Sequence, residues 1–216
     1  MNIKKIIKGI VKCMPGYSLC RNNIKSSNWI ELFNWKKEGR PIPPPYSVKR
    51  KTIKKYAKLF SCKTFVETGT LFGDTVFDVR SNFKRIISVE LDTALYEKAK
   101  NRFLRFPNIK ILHGDSGSIL PKVLLDISGK CLFWLDGHYC GGITAKGNTE
   151  CPVMQELKAI LSRKPNNDVI LIDDARCYVG KGDWPDIEEL RKLVSDFNQD
   201  LVFEIKEDII RIHGRI

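Results

Sequence analysis

Acidic side chains follow four hydrophobic runs of this chain, at the points where predicted β-strands end. Glu67 ends the run TFVE, Glu90 ends RIISVE, Asp136 follows CLFWL, and Asp173–Asp174 follow VILI. In an open α/β sheet, ligands bind in the crevice beyond the carboxyl ends of the strands. We therefore expect these side chains to converge on one ligand-binding cleft.

Three of these carboxylates form a candidate metal site. Asp136, Asp173 and Asp174 end two strands that we expect to be neighbours in the sheet. Carboxylates held close together are costly unless they are protonated or bound to a cation. Three hard oxygen ligands favour Mg²⁺. The structural alternative for Asp173–Asp174 is N-capping of the segment that follows them.

A histidine two residues after Asp136 is a candidate general base. An imidazole exchanges its proton near neutral pH, so His138 is suited to accept a proton from a reacting group. The structural alternative is a loop histidine that is hydrogen-bonded for stability. Cys140 and Cys151 lie near this histidine, but their spacing does not fit the usual zinc sites.

A glycine-containing loop follows the first predicted strand. Gly69 and Gly73 in ETGTLFGD allow a sharp turn and a close approach of the backbone to a ligand. The dinucleotide fingerprint G-x-G-x-x-G is not met, which favours a cofactor without a pyrophosphate. A plain strand-to-helix turn is the structural alternative. At the second strand end, Glu90 is placed to bind a ribose diol, and Asp115 after the third strand is placed to meet an adenine amino group.

Strands and helices alternate along most of the chain. Strands are predicted at 64–68, 85–91, 109–113, 131–136 and 168–173. Helices are predicted at 47–60, from the glycine loop to about Phe83, and at 93–105, 117–127, 150–163 and 184–198, the last with Asp183 as its N-cap. The run LVFEIKEDIIRIHG predicts a terminal β-hairpin. This order predicts a doubly wound, mostly parallel α/β sheet with helices on both faces and a C-terminal antiparallel hairpin.

The positive charge of the chain is concentrated before the first strand. The formal net charge is +12, yet residues 1–64 carry 16 basic and two acidic residues. We divide the chain into a basic arm, 1–46, and a ligand-binding domain, 47–216. Within the arm, residues 1–16 predict an amphipathic helix that lies at a membrane interface or docks on the domain. We expect 17–46 to be irregular and anchored by Trp29, Phe33 and Trp35.

The cysteine pattern and the hydropathy exclude some protein classes. Seven cysteines occur without a C-x-x-C pair, which is typical of a reducing cytoplasm rather than a disulfide framework. No apolar run reaches the ~18–20 residues that a membrane span needs. A basic arm also suits nucleic acid, but residues 1–64 contain no nucleic-acid motif that we identify, so nucleic acid is not the favoured partner.

The ordered motifs resemble those of class I S-adenosylmethionine-dependent methyltransferases. The resemblance rests on E-T-G-T-x-x-G-D at 67–74, V-E-L-D at 89–92, G-D-S at 114–116 and the terminal hairpin. It implies a seven-stranded Rossmann-like sheet that binds S-adenosylmethionine. The cofactor-binding residues that it implies are Glu67, Gly69, Thr70, Gly73, Asp74, Glu90, Asp115, Ser116 and Asp136.

The second half of the chain resembles metal-dependent O-methyltransferases, especially those that act on sugar hydroxyls. Asp136-Gly-His138 and Asp173–Asp174 carry this resemblance, although the base in the sugar-modifying relatives is an aspartate. It implies Asp136 and His138 as catalytic residues, and Mg²⁺ or another divalent cation bound by Asp136, Asp173 and Asp174. The acceptor would be a hydroxyl of a sugar or glycan intermediate. Independently of the resemblance, the length and the glycines of the loop 139–151 indicate a lid or a substrate-binding segment.

Two other functions remain open from the sequence. One is a nucleic-acid-binding or RNA-modifying protein that is guided by the basic arm. The other is a non-catalytic, cofactor-binding partner in a glycan-assembly complex at a membrane surface.

Overall fold

A seven-stranded sheet forms the centre of the molecule. The computed structural model describes residues 27–138, 149–164 and 167–215. The strands of this sheet are β1 (Thr64–Thr68), β2 (Arg85–Glu90), β3 (Ile109–His113), β4 (Cys131–Leu135), β5 (Val169–Ile172), β8 (Val202–Lys206) and β9 (Ile209–His213). Their order is β3-β2-β1-β4-β5-β9-β8, in which β1 to β5 are parallel and β9 is antiparallel to both of its neighbours. The predicted fold class is confirmed.

Helices cover both faces of the sheet. They are α1 (Ser27–Lys37), α2 (Tyr46–Leu59), α3 (Asp74–Val79), α4 (Thr93–Phe103), α5 (Ser116–Leu125), α6 (Val153–Leu161) and α7 (Ile187–Phe197). Successive strand residues point to opposite faces, so Phe65 packs with the α2–α4 side while Val66 packs with the α5–α7 side. The central strands are buried along their whole length, as parallel strands between two helical layers must be.

The segment after β5 differs from the prediction. A 3₁₀ turn, Ala175–Cys177, leads into a two-stranded hairpin of β6 (Val179–Lys181) and β7 (Trp184–Asp186). The prediction of a helix from 184 is therefore wrong for its first three residues. The prediction of Asp183 as N-cap is also wrong, because Asp186 caps α7 in a reciprocal capping box with Glu189.

The arm before the domain is more regular than predicted. Residues 27–37 form α1, in contrast to the irregular segment that we expected. Of its three aromatic residues only Trp35 is buried, and its indole Nε1 donates a hydrogen bond to the Pro41 carbonyl at 2.8 Å. Trp29 and Phe33 stack on one another and are 75% and 56% exposed, so they do not anchor the segment. The predicted helix at 1–16 lies outside the described residues, as does most of the predicted lid.

Candidate functional site

One open cleft lies beyond the carboxyl ends of the parallel strands. Its volume, including the space at its mouth, is about 1010 Å³. The strand-end and loop residues Gly69, Glu90, Asp115, Asp136 and Asp173 all contribute to its wall. The predicted convergence of strand-end carboxylates on one cleft is thus observed for the ends of β2, β4 and β5.

Glu90 is held rigidly at one end of the cleft. Its two carboxylate oxygens accept hydrogen bonds from the backbone N–H groups of Leu71, at 2.7 Å, and Asp92, at 2.9 Å. Burial raises the pKa of Glu90, and these two N–H groups oppose the rise. Each oxygen retains a second lone pair, so the carboxylate can still accept hydrogen bonds from a ligand diol.

The glycine loop packs directly on the end of β4. Gly69 has a φ of +84°, and a Cβ at this position would lie 2.3 Å from the Asp136 carbonyl oxygen. Only glycine tolerates both the left-handed backbone and this close approach. The loop after β1 therefore packs against the backbone of Asp136. This contact places the loop beside the end of β4 in the wall of the cleft.

The residues that the resemblance implied for the cofactor divide into two groups. Gly69, Glu90, Asp115, Ser116 and Asp136 line the cleft. The other four residues are described but do not line it: they are Glu67, Thr70, Gly73 and Asp74. Their cofactor-binding role stays a prediction.

The contacts of this second group are with the protein. Glu67 is buried and accepts a hydrogen bond from the Ser88 hydroxyl at 2.5 Å, while Thr70 Oγ1 lies 2.6 Å from the same hydroxyl. Gly73 precedes α3, and Asp74 pairs with Arg102 at 2.9 Å. Asp115, in the first group, also has a structural role, because its side chain caps α5.

An acidic cluster with a histidine occupies the other end of the cleft. His138 Nε2 lies 3.4 Å from Asp174 Oδ2 and 3.8 Å from Asp136 Oδ1. One potential ligand atom from each of these residues lies within 4.8 Å of the others. Carboxylate and imidazole groups at this spacing fit a divalent cation such as Mg²⁺ or Mn²⁺. The cluster is therefore a chemically suitable metal site.

Asp173 has a different partner from the one that we predicted. Its carboxylate Oδ2 accepts a hydrogen bond from the Lys49 ammonium, which also donates to Asp174 Oδ1 at 3.0 Å. Lys49 comes from α2, well before the glycine loop, and its side chain is only 11% exposed. Metal binding by Asp173 stays a prediction, whereas its ion pair with Lys49 is a feature of the structure.

Asp174 is the point on which several charged groups converge. It has a left-handed backbone, with φ 54° and ψ 49°, and it accepts hydrogen bonds from Lys49 and from Arg176 at 2.9 Å. Burial alone would raise the pKa of Asp174, but the His138 hydrogen bond and the Lys49 ammonium hold it well below its ordinary value. Burial alone would lower the pKa of Lys49, but its attraction to Asp173, Asp136 and Asp174 together outweighs burial and raises it.

The terminal hairpin of β8 and β9 fixes the backbone that follows Asp174. Asp208, in the turn between β8 and β9, pairs with the Arg176 guanidinium and accepts the Arg176 backbone N–H at 2.9 Å. The backbone of the same turn accepts the Ala175 N–H at 2.9 Å. The antiparallel hairpin thereby fixes the loop that carries Asp174.

Aromatic rings pack beside the His138 imidazole. Its ring centroid lies 4.9 Å from that of Trp184, in the β6–β7 hairpin, and Trp184 in turn contacts Tyr178. The imidazole is 3% exposed. These contacts orient the ring with its Nε2 towards the two carboxylates.

The sequence interpretation missed the contribution of α2 to this cleft. Tyr46 and Lys49 both line it. A signal was present in the helical spacing, because Lys49 falls on the same face as Ile53 and Tyr56, which are buried. A lysine on the apolar face of a helix requires a buried anionic partner, and the strand-end carboxylates are that partner.

The fold matches that of solved methyltransferases. No protein-family model and no curated protein sequence matches this chain significantly. An O-methyltransferase from Bacillus cereus in complex with S-adenosylhomocysteine superimposes with a TM-score of 0.52 at 12% identity, covering 88% of this chain and 91% of that one. The S-adenosylhomocysteine-bound methyltransferase PaMTH1 from Podospora anserina gives 0.51 at 14% identity, covering 100% and 97%.

At these identities the likeness shows the fold alone. The predicted resemblance in fold to class I S-adenosylmethionine-dependent methyltransferases is confirmed.

Proposed function

We propose that this protein transfers the methyl group of S-adenosylmethionine to a hydroxyl oxygen, with assistance from a divalent cation. The observation that carries the proposal is that one cleft holds both a fixed carboxylate at the end of β2 and, at its other end, the Asp136–His138–Asp174 cluster. The fold likeness to S-adenosylhomocysteine-bound methyltransferases supports the choice of cofactor.

The cofactor would be bound by groups that the fold already holds in place. Glu90 would accept hydrogen bonds from the ribose hydroxyls, since two backbone N–H groups orient its carboxylate. Asp115 and Ser116 would contact the adenine, since both line the same end of the cleft. S-adenosylmethionine would supply an electrophilic methyl group on a sulfonium.

The acceptor hydroxyl would be activated at the acidic cluster. A divalent cation held by Asp136 and Asp174 would lower the pKa of the hydroxyl. His138 would accept the hydroxyl proton at Nε2 once the divalent cation, in place of an imidazole N–H, faces the Asp136 and Asp174 carboxylates. An imidazole takes up a proton near neutral pH. Trp184 keeps the imidazole in this orientation. Orientation of the acceptor towards the methyl donor contributes part of the rate enhancement in transfers of this kind.

We infer that the acceptor is a sugar or glycan intermediate. The support is the likeness of Asp136-Gly-His138 and Asp173–Asp174 to the motifs of sugar O-methyltransferases. A cleft wall that is rich in carboxylates and hydroxyls, with Thr149 and Ser116 among its residues, is suited to a polyhydroxyl ligand.

We infer that the protein works at the cytoplasmic surface of an anionic membrane. Within the described ranges, no helix has the length and apolarity that crossing a bilayer requires. The support for peripheral contact is the basic N-terminal quarter together with Trp29, Ile30 and Phe33 on α1, which are all more than half exposed. Exposed aromatic residues beside lysines are typical of interfacial helices.

A methyl-transfer assay tests the proposal. Purified protein is incubated with methyl-labelled S-adenosylmethionine and a panel of nucleotide sugars and short glycans, with Mg²⁺ or Mn²⁺, or with EDTA. We expect transfer of label to at least one acceptor, loss of transfer in EDTA, and recovery when the metal is returned. Transfer that persists after thorough EDTA treatment contradicts the metal assistance, and label on RNA but on no sugar contradicts the acceptor class.

A further inference from the structure

Lys49 is a buried cation inside the candidate metal cluster. Its ammonium donates hydrogen bonds to Asp173 and Asp174, and its side chain lies over the Tyr46 ring at 5.5 Å. Asp174 is at the same time one of the three residues whose ligand atoms are grouped for a metal. One carboxylate therefore serves both the internal lysine and the candidate metal site.

The local charge balance shows what Lys49 does. Asp136, Asp173 and Asp174 place three carboxyl groups close together, and the cations Lys49 and Arg176 contact two of them, Asp173 and Asp174. Buried carboxylates repel one another strongly unless a cation lies among them. Lys49 is thus the cation that faces the carboxylates of both Asp173 and Asp174 in this cluster.

A divalent cation at the cluster would meet this lysine at short range. Two positive centres that share one carboxylate lie only a few ångströms apart, and their repulsion in a partly buried site is far stronger than in water. The metal can bind tightly only if the ammonium moves away from Asp174. If the ammonium stays, the repulsion between the two positive charges lowers the affinity for the metal.

We propose that Lys49 is a positioning residue that orients the Asp173 and Asp174 carboxylates and competes with the divalent cation for Asp174. This inference rests on the metal assistance in the proposed function. It predicts that the chain binds divalent cations more weakly than its carboxylates alone would allow. It also predicts that Lys49 acts on the metal and the acceptor rather than on the cofactor.

Manganese titration of charge-altered variants tests the inference. Free Mn²⁺ is followed by electron paramagnetic resonance, and binding heats by calorimetry, in wild type, Lys49→Met and Lys49→Arg. Methionine keeps the length of the side chain and removes the charge, so we expect the Kd for Mn²⁺ to fall at least tenfold. Arginine keeps the charge, so its Kd should stay within a few-fold of the wild-type value.

Two further variants keep the test decisive. Lys51→Met removes an exposed lysine of the same helix and should leave the Kd unchanged. Lys49→Met leaves a buried carboxylate without its cation and risks unfolding. The comparison is therefore repeated in an Asp173→Asn background, where adding Lys49→Met should again tighten Mn²⁺ binding.

The outcomes separate this inference from the proposed function. Equal or weaker Mn²⁺ binding by both Lys49→Met proteins, with measurable wild-type binding, overturns the competition and leaves the metal assistance intact. If no variant binds Mn²⁺ while S-adenosylhomocysteine still binds, both the competition and the metal assistance are wrong, and the cofactor assignment stands. Tighter binding in Lys49→Met with unchanged affinity for S-adenosylhomocysteine supports the proposal.

Discussion

Asp174 accepts contacts from residues of three different parts of the chain. His138 comes from the loop after β4, Lys49 from α2 and Arg176 from the turn that follows β5. The left-handed backbone at Asp174 is one that aspartate tolerates better than most residues. This conformation is what turns the carboxylate from the end of β5 towards the cluster instead of continuing the strand.

The positions of the strand-end carboxylates could be predicted from the sequence, but their partners could not. A run of apolar residues followed by an acid marks a strand end, and the rule for parallel sheets then places that acid at the cleft. The choice between a metal and a lysine as counterion for Asp173 depends on where α2 packs, and that is a tertiary contact spanning more than a hundred residues.

Replacement of His138 by glutamine tests its role as the base. Glutamine keeps a polar side chain in the pocket but cannot accept a proton, so we expect kcat to fall by about 10²–10⁴-fold. The affinities for S-adenosylhomocysteine and Mn²⁺ should each stay within a few-fold of wild type. A loss of Mn²⁺ binding that accounts for the whole loss of activity would show that His138 is a metal ligand and not the base.

Glu156 gives the stability of the protein a predictable dependence on pH. Burial raises the pKa of Glu156 to about 7 from an ordinary value of 4.5, because its carboxyl is enclosed behind the cleft. The unfolded chain therefore releases this proton at a lower pH than the folded protein does. The contribution of the group to stability is complete below pH 4.5 and is lost as the pH rises through about 7.

Glu156→Gln should remove this dependence. The variant should be more stable than wild type by roughly 3 kcal/mol at pH 8.5, with a smaller difference at pH 5, since each pKa unit corresponds to about 1.4 kcal/mol. Urea unfolding of both proteins at the two pH values measures this difference in the free energy of unfolding. Titratable groups that both proteins share contribute equally and drop out of the difference. Replacement of the exposed Glu188 by glutamine serves as the control. An equal difference at both pH values would contradict the raised pKa.

The elements around the cleft are held in register by close backbone contacts. The loop after β1 rests on the end of β4 at Gly69, and the N–H of Asp136 donates to the Thr68 carbonyl at 3.1 Å. The β6–β7 hairpin places Trp184 against His138. Helical periodicity at 187–197 was visible in the sequence. The hairpin before it depends on the turn at Gly182 and Asp183, where Gly182 has a positive φ, and a helix prediction from 184 overlooked this turn.

A pair of glycine variants tests the seating of the loop after β1. Gly69 and Gly129 both have positive φ, but a Cβ at Gly129 would meet nothing within 4 Å. Gly129→Ala should therefore cost only about 1–2 kcal/mol of backbone strain. Gly69→Ala must also move the end of β4, so it should be less stable still and should bind S-adenosylhomocysteine at least tenfold more weakly. Thermal unfolding measures the stability of the two variants, and calorimetry measures their affinity for S-adenosylhomocysteine. Equal stability and equal affinity of the two variants would contradict the close packing of Gly69 on β4.

At the scale of the whole molecule, the order of strands and helices was sufficient to predict the sheet. Short alternating elements with right-handed crossovers allow few topologies. The terminal hairpin accounts for β9, the strand that runs antiparallel to both of its neighbours. The arm was harder to predict, because the aromatic residues of α1 were read as anchors. Two of them are instead exposed, and exposure depends on what packs nearby rather than on residue type.

Vesicle flotation tests the membrane contact of the whole protein. We expect the full chain to float with vesicles that contain anionic lipid, and to be released at high salt because the basic arm contributes by charge. Removal of residues 1–16, or the pair Trp29→Ser and Phe33→Ser, should each reduce the bound fraction. Leu125→Ser, at a leucine that is 87% exposed elsewhere on the domain, is the matched control. Binding that is unaffected by either change would exclude the arm as the contact.

Calorimetric titration with S-adenosylhomocysteine tests the central claim most directly, because it reports the cofactor site without any assumption about the acceptor. Wild type should bind one molecule per chain, and Glu90→Ala should bind at least tenfold more weakly, since the fixed carboxylate at the end of β2 would no longer hold the ribose. Absence of binding by the folded wild-type protein, or equal binding by Glu90→Ala, would contradict the assignment of this cleft to the methyl donor.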